Sequence, residues 1–182
     1  MYRFALRPAW IASHVFVVAL VVLMVNLGLW QLRRLDERQA RNGEIAARMA
    51  EPEVALESLL VPGDDWDVAD ELAHRRVRVA GEWLAGEQVI VRARSLDDAP
   101  GSWVLTPLLR DDGSIVVVNR GWFRNDGTFD DVPAELVPPE GRVQVVGLVQ
   151  PTQTRGSFGP TDPADGELTS LARVDVQRLA EQ

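Results

Sequence analysis

The sequence predicts a mainly β protein. An N-terminal transmembrane helix with a helical neck comes first, followed by a small antiparallel β-barrel or sandwich. Three observations predict this. An apolar run extends from Trp10 to Leu29 and is closed by Trp30. From Arg75 onward the hydrophobic period drops from that of a helix to two. The short apolar runs beyond that point are separated by Asp, Gly and Pro turn signals.

The apolar run comes first in the chain. It is interrupted only by Ser13, His14 and Asn26 and is flanked by Arg3 and Arg7 on one side and Arg33 and Arg34 on the other. At about 1.5 Å per residue it covers roughly 30 Å, the thickness of a hydrocarbon core. Trp10 and Trp30 sit where amphipathic rings favour the headgroup layer. A signal peptide would have a shorter apolar region and a small-residue cleavage site, whereas this run continues into Gly-Leu-Trp-Gln-Leu-Arg-Arg. A buried helix of a soluble protein would seldom be apolar all round for five turns. Residues 10–30 are therefore read as a transmembrane helix, preceded by residues 1–9. Charge alone leaves its orientation open. The arginine count favours the far side, with Arg33, Arg34, Arg38 and Arg41, but Asp36, Glu37 and Glu44 lie among those arginines and reach them at helical spacing.

Residues 31–50 are rich in helix formers and free of proline until Pro52, which predicts a helical neck. Residues 51–74 read as an acidic linker with Pro52, Pro62 and Gly63, in which 54–60 could form one short helix. The β domain is expected over 75–182. Val77, Val79, Gly81 and Trp83 share one face and Arg76, Arg78 and Glu82 the other. The alternation repeats over 87–94, and the two runs are expected to form a hairpin across Ala85-Gly86. Residues 102–110 and 114–123 form a second predicted hairpin around Asp111-Asp112-Gly113. Pro107 must then sit at an edge or bulge, because it has no N–H to donate. A strand over 142–150, a last short one over 171–176 and a loop over 152–166 complete the reading.

Composition removes whole classes of function. The formal net charge is -8, so phosphate backbones would be repelled and nucleic acid is not an expected partner. All 19 basic residues are arginine. There is no cysteine, hence no disulfide, no thiolate metal site and no Cys-x-x-Cys-His for covalent heme. Two histidines and three methionines at scattered positions make no soft-ligand cluster, so no resident metal is expected.

The acidic pairs Asp64-Asp65, Asp97-Asp98, Asp111-Asp112 and Asp130-Asp131 all fall in predicted turns, where aspartate caps its own backbone. No Gly-x-Ser-x-Gly, phosphate-binding glycine loop or serine–histidine arrangement is present. No catalytic residue is expected, and a hydrolase using the Asp-rich loops is the poorest reading. His14 is either an axial heme ligand or an interfacial ring one turn into the span. Asn26 suits a bond to a neighbouring helix. Asn119-Arg120-Gly121-Trp122 closes an otherwise apolar strand. Arg120 and Trp122 share a face there, so the guanidinium is expected near the indole. The run is read either as a strand end held by an arginine hydrogen bond or as a partner-binding edge.

Three stretches resemble the Surfeit locus protein 1 family of cytochrome c oxidase assembly factors. They are Leu27-Gly-Leu-Trp-Gln-Leu-Arg-Arg-Leu, Arg76-Val-Arg-Val-Ala-Gly-Glu-Trp, and Trp103-Val-Leu-Thr-Pro-Leu through Asp112-Gly to Val118-Asn-Arg-Gly-Trp. The resemblance implies an assembly factor of the bacterial plasma membrane, with the N-terminus cytoplasmic and the β domain extracytoplasmic. It implies assistance to heme a insertion or to maturation of cytochrome c oxidase subunit I or other respiratory-chain subunits. The expected contacts, besides membrane lipid, are Gly28, Trp30, Gln31 and Arg34 at the membrane edge and Asn119, Arg120 and Trp122 on the β domain. A heme a carrier using His14 is the alternative. The family closes with a second span, whereas this sequence stops at Leu179-Ala-Glu-Gln, so either it is part of a longer parent chain, which is the expectation, or this member lacks that helix.

Overall fold

The computed structural model describes residues 7–64, 66–125, 132–153, 160, 162, 166 and 168–180. The expected turn at Asp130-Asp131, the Asp65 half of its pair, Arg3, the last two residues and most of the expected loop 152–166 lie outside them. The chain divides into two compact units, Met1–Arg48 and Met49–Gln182.

Helix α1, Pro8–Ala50, makes the predicted span and neck one continuous element of 43 residues. Proline suits its first turn, where an N–H would have no intrahelical acceptor, and Pro52 disfavours helix at the residue before it. The helix buries none of its residues, so Phe16 and Leu23, for example, are 67% and 54% exposed. Such a surface is unfavourable in water and favourable in hydrocarbon. It is the one described helix long and apolar enough to cross a membrane. Two polar groups within the apolar run bond to the helix itself. His14 Nδ1 donates to the Trp10 carbonyl and Asn26 Nδ2 to the Val22 carbonyl at 2.8 Å. Asn26, expected to reach a neighbouring helix, is thus bonded to its own.

The second unit is mainly β, as predicted. It holds strands β1 (Val54–Ala55), β2 (Arg76–Trp83), β3 (Val89–Leu96), β4 (Ala99–Leu109), β5 (Ile115–Arg124), β6 (Arg142–Leu148) and β7 (Ser170–Leu171). Short helices α2 (Trp66–Glu71) and α3 (Val176–Ala180) accompany them. All seven strands belong to one sheet. It is mixed and not closed, rather than an all-antiparallel barrel or sandwich, because β1 joins β2 and β7 joins β3 in parallel.

The hairpin expected between the first two long strands does not form. β2 pairs with β6 over Arg76–Glu82, whereas β3 pairs with β4 from Val89↔Leu105 to Leu96↔Ala99. The strand β4, with 11 residues, is long enough to serve both. Its first half takes β3, and Leu108 and Leu109 on the same edge take Trp83 and Glu82 of β2. Pro107 sits in the gap between these partners, and its carbonyl accepts from Leu84 N at 3.0 Å. An extended residue turns its N–H and C=O toward one edge, so the missing donor falls where the ladder is interrupted anyway. The other predicted hairpin is present. β4 and β5 pair from Gly101↔Arg124 to Leu109↔Ile115.

Two further expectations change. Residues 54–60 form β1 and a 3₁₀ turn at Leu56–Ser58 rather than a helix, because Val54 pairs with Val77 and Leu56 is buried beside Val77, Val79 and Leu108. The last strand is cut to Ser170–Leu171 and is followed by α3. The face predicted for β2 is observed, with Val77, Val79 and Gly81 buried. In β3 the alternation fails. Val89 packs with Leu168 and Leu171 and Ile90 with Val104 and Phe123, so both faces are covered. The register then slips between Val91 and Arg94, at Ala93 with φ 59°.

The turn aspartates are used structurally. Asp112 accepts from the Ser114 backbone N–H at 2.9 Å, and Asp64 from that of Val61 at 2.7 Å. Asp111 pairs with Arg142 of β6, and that hydrogen bond is the main cause holding its carboxyl below the usual aspartate range. Two outcomes follow. Leu108→Ala, at a fully buried position, is expected to lower the stability of the β unit by about 2–5 kcal/mol in urea titrations of the detergent-solubilised chain. A depressed carboxylate contributes stability above its unfolded pKa and loses it as pH falls through the lower folded value. Stability should therefore fall less steeply below about pH 4 in Asp111→Asn than in the native chain; equal slopes would dismiss the Asp111–Arg142 tie.

Candidate functional site

The sequence-predicted contact residues lie in two groups, one in each compact unit. In α1, Trp30 and Arg34 are one turn apart, and the Arg34 guanidinium carbon stands 5.4 Å from the Trp30 ring centroid. The pair is thus in contact, as its spacing predicts. Gln31 lies three residues before Arg34 and shares that side. A Cβ placed on Gly28 would meet nothing within 4 Å, so this glycine leaves a shallow place on the helix where another backbone could come close. All four residues are exposed.

In the β unit, Asn119, Arg120 and Trp122 lie near the end of β5, where the strand is irregular. Val104 pairs with Gly121 and Leu105 with Asn119, so Arg120 is the extra residue of a bulge. Gly121 has φ 141°, a left-handed value that favours glycine, and its N–H donates to Asn119 Oδ1 at 3.1 Å. The bulge removes the period-two alternation on which the expected Arg120–Trp122 contact rested. Arg120 instead lies over Trp83 of β2, 5.1 Å from the ring centroid, and its Nη1 donates to the Leu136 carbonyl at 2.7 Å. Burial pulls its pKa below the ordinary arginine value. The guanidinium therefore ties β5 to β2 and to the 3₁₀ turn at Ala134–Leu136.

Trp122 belongs to a different cluster. Its Nε1 donates to the Arg94 carbonyl at 2.7 Å, and it pairs across the strands with Trp103. A Cβ on Gly101 would stand 2.2 Å from Trp122 Cε2, so only glycine lets the indole lie against β4. The Arg94 guanidinium carbon is 4.7 Å from the Trp103 centroid, and its Nη2 donates to Gln153 Oε1 at 2.7 Å. Its pKa is lowered, first by burial and then by the nearby charge of Arg173. Sequence reasoning missed Arg94 as a stacking residue, because the slip at Ala93 decides where it points.

Asn119 also borders an apolar cleft of about 710 Å³. Val77 and Val79 of β2, Val116 and Val118 of β5 and Val145 of β6 form much of its wall. Thr152 and Gln153 add polar groups, and Asp70 a carboxylate. The arrangement offers aliphatic surface with a few hydrogen-bonding groups. Among the described residues no group of three or more His, Cys, Asp and Glu could hold a metal ion.

Comparison with known proteins adds the following. A family model described as the SURF1 family matches residues 18–182. The chain is 28% identical over 144 residues to the cytochrome oxidase assembly protein SHY1 of Saccharomyces cerevisiae, covering 77% of this chain and 36% of that protein. It is 34% identical over 122 residues to an uncharacterised SURF1-like protein of Mycobacterium bovis, covering 66% of this chain and 44% of that one. A SURF1-like protein of Dictyostelium discoideum is 26% identical over 188 residues, covering 88% of this chain and 68% of that one. The first two matches thus span less than half of each relative.

The aromatic cluster yields a direct check. Gly101→Ala should push the Trp122 indole away from the Arg94 carbonyl and destabilise the β unit by about 1–3 kcal/mol. In NMR spectra of the labelled chain, the Trp122 indole N–H should lose its protection from solvent exchange; retained protection would contradict the packing.

Proposed function

The chain belongs to the SURF1 family, and from that membership we propose that it is a membrane-anchored assembly factor for heme a-containing cytochrome c oxidase. The family match over residues 18–182, which takes in much of the apolar run and the β unit, is the observation that carries the reading. The name of the yeast relative, a cytochrome oxidase assembly protein, gives it its direction. Helix α1 anchors the protein in the bacterial plasma membrane, with the N-terminus cytoplasmic and the β domain extracytoplasmic. The protein works by non-covalent contact and assists heme a insertion or the maturation of subunit I. This agrees with the turn carboxylates being engaged in hydrogen bonds and ion pairs of the fold.

The contacts fall on Gly28, Trp30, Gln31 and Arg34 at the membrane edge. Trp30 supplies a ring at headgroup depth, and the stacked Arg34 supplies a charge whose geometry is already restricted. On the β domain Asn119, Arg120 and Trp122 contribute unequally. Arg120 and Trp122 hold the bulged strand end in shape, and the exposed Asn119 is the group it presents. The alternative, a heme a carrier, draws on one observation. The hydrogen bond from His14 Nδ1 to the Trp10 carbonyl leaves Nε2 as the ring's ligating atom.

Complementation of a deletion strain tests the reading. Trp30→Ala combined with Arg34→Ala, produced at native level in the membrane, should lower oxidase activity and heme a content several-fold; normal values would refute this placement of the contact. Absorbance spectra of the purified chain from cells making heme a address the alternative. A heme band that disappears in His14→Ala would favour the carrier.

A further inference from the structure

Strand β5 is paired along one edge only, with β4. Among the described residues, the backbone groups of residues 115–119 make no hydrogen bond beyond that ladder. Every second residue of a strand turns its N–H and C=O to the outer edge, so these groups are left for solvent or for another chain. Proteins usually guard such an edge with charge, proline or a bulge. Residues 115–119 read Ile-Val-Val-Val-Asn, with no charge and no proline, and the bulge comes only at Arg120.

The apolar cleft of about 710 Å³ lies along this edge, and all five residues from 115 to 119 line it. Successive strand side chains point to opposite faces, so a cavity that meets five in a row meets the strand at its edge rather than on a face. The facing wall is another unbroken run, residues 147–153, which continues from the end of β6. Two opposed walls leave room for a single extended chain, whereas the edge of a second copy's sheet would bring its neighbouring strands with it. Among the described residues lining the cleft, Asp70 alone is charged, and the protein as a whole carries a net charge of -8. Coulomb attraction thus favours a basic guest over an acidic one.

We propose that the edge of residues 115–119 receives an extended segment of a partner protein, one with β-branched side chains at alternate positions and a basic flank for Asp70. Main-chain hydrogen bonds to β5 supply the affinity, and the valine walls select the side chains. The inference goes beyond the proposed function, with which it shares Asn119, and does not require the partner to be an oxidase subunit.

The test uses the isotopically labelled full chain in detergent, titrated with a peptide of alternating Val and Thr preceded by Arg. Two twins are N-methylated, one at every valine and one at every threonine, which keeps the side chains and removes the donors of one edge or the other. Without peptide, the outward amides of residues 115–119 should exchange quickly with solvent. The peptide should protect them, and at least one twin should bind about tenfold more weakly. Val117→Lys should also weaken the parent peptide about tenfold, as a charge placed on an edge strand does. Retained protection of the Trp122 indole N–H shows that the sheet of this variant is intact; where it is lost, the twins decide. Absence of binding at millimolar peptide, both twins binding as tightly as the parent, or protection appearing outside 115–119 would each overturn the proposal. So would outward amides already protected without peptide, whether in a monomer, where the chain itself fills the edge, or in a dimer, where a second copy does. None of these readouts involves oxidase, so their failure leaves the assembly reading standing, and failure of complementation leaves this one standing.

Discussion

Strand β4 has to satisfy three partners with two edges. β5 follows one edge almost from end to end, while β3 and then β2 divide the other. The remaining connections of the β unit follow from this division. β2 is released to pair with β6 along its length, β3 is left open to receive β7, and the 3₁₀ turn at Ala85–Glu87 carries the chain from one partner of β4 to the next. Pro107 marks the division chemically, since a residue without a donor is tolerated where the ladder changes partners. Gly81 marks it sterically. A Cβ there would lie 2.3 Å from the Leu109 carbonyl oxygen, so β2 and β4 approach where they do because that side chain is absent.

The irregular positions of the sheet are also where its arginines and tryptophans meet. The slip in β3 and the bulge in β5 each direct a guanidinium onto an indole, Arg94 onto Trp103 and Arg120 onto Trp83. Each guanidinium also donates to a backbone carbonyl, Arg94 to Ala172 and Arg120 to Leu136. Arginine suits both tasks, because its planar group stacks on one face while its edge donates. The run 119–122 is therefore held from within, with Asn119 left exposed.

Helix α1 follows a different rule. None of its residues is buried within the protein, and His14 and Asn26 of its apolar run bond to the helix's own carbonyls. The β unit, taken by itself, carries an apolar cleft bordered by β2, β5 and β6.

The long N-terminal helix, the inward face of β2 and the hairpin around Asp111-Asp112-Gly113 were legible in the sequence. Each rests on local periodicity or on a turn whose residues set their own backbone, and the resemblance carried by Gly28 to Arg34 and by Val118 to Trp122 was likewise written in short runs. Strand partnership was not legible. Whether β2 pairs with β3 or β6 depends on how one long strand is shared, and the edge hydrogen bonds of any strand look alike in sequence. The placement of Arg94 and Arg120 was equally hidden, because one extra residue in a strand turns every following side chain to the other face. Local chemistry determined the elements; only the tertiary structure, through the double use of β4 and the register breaks in β3 and β5, decided which elements pair and which side chains meet.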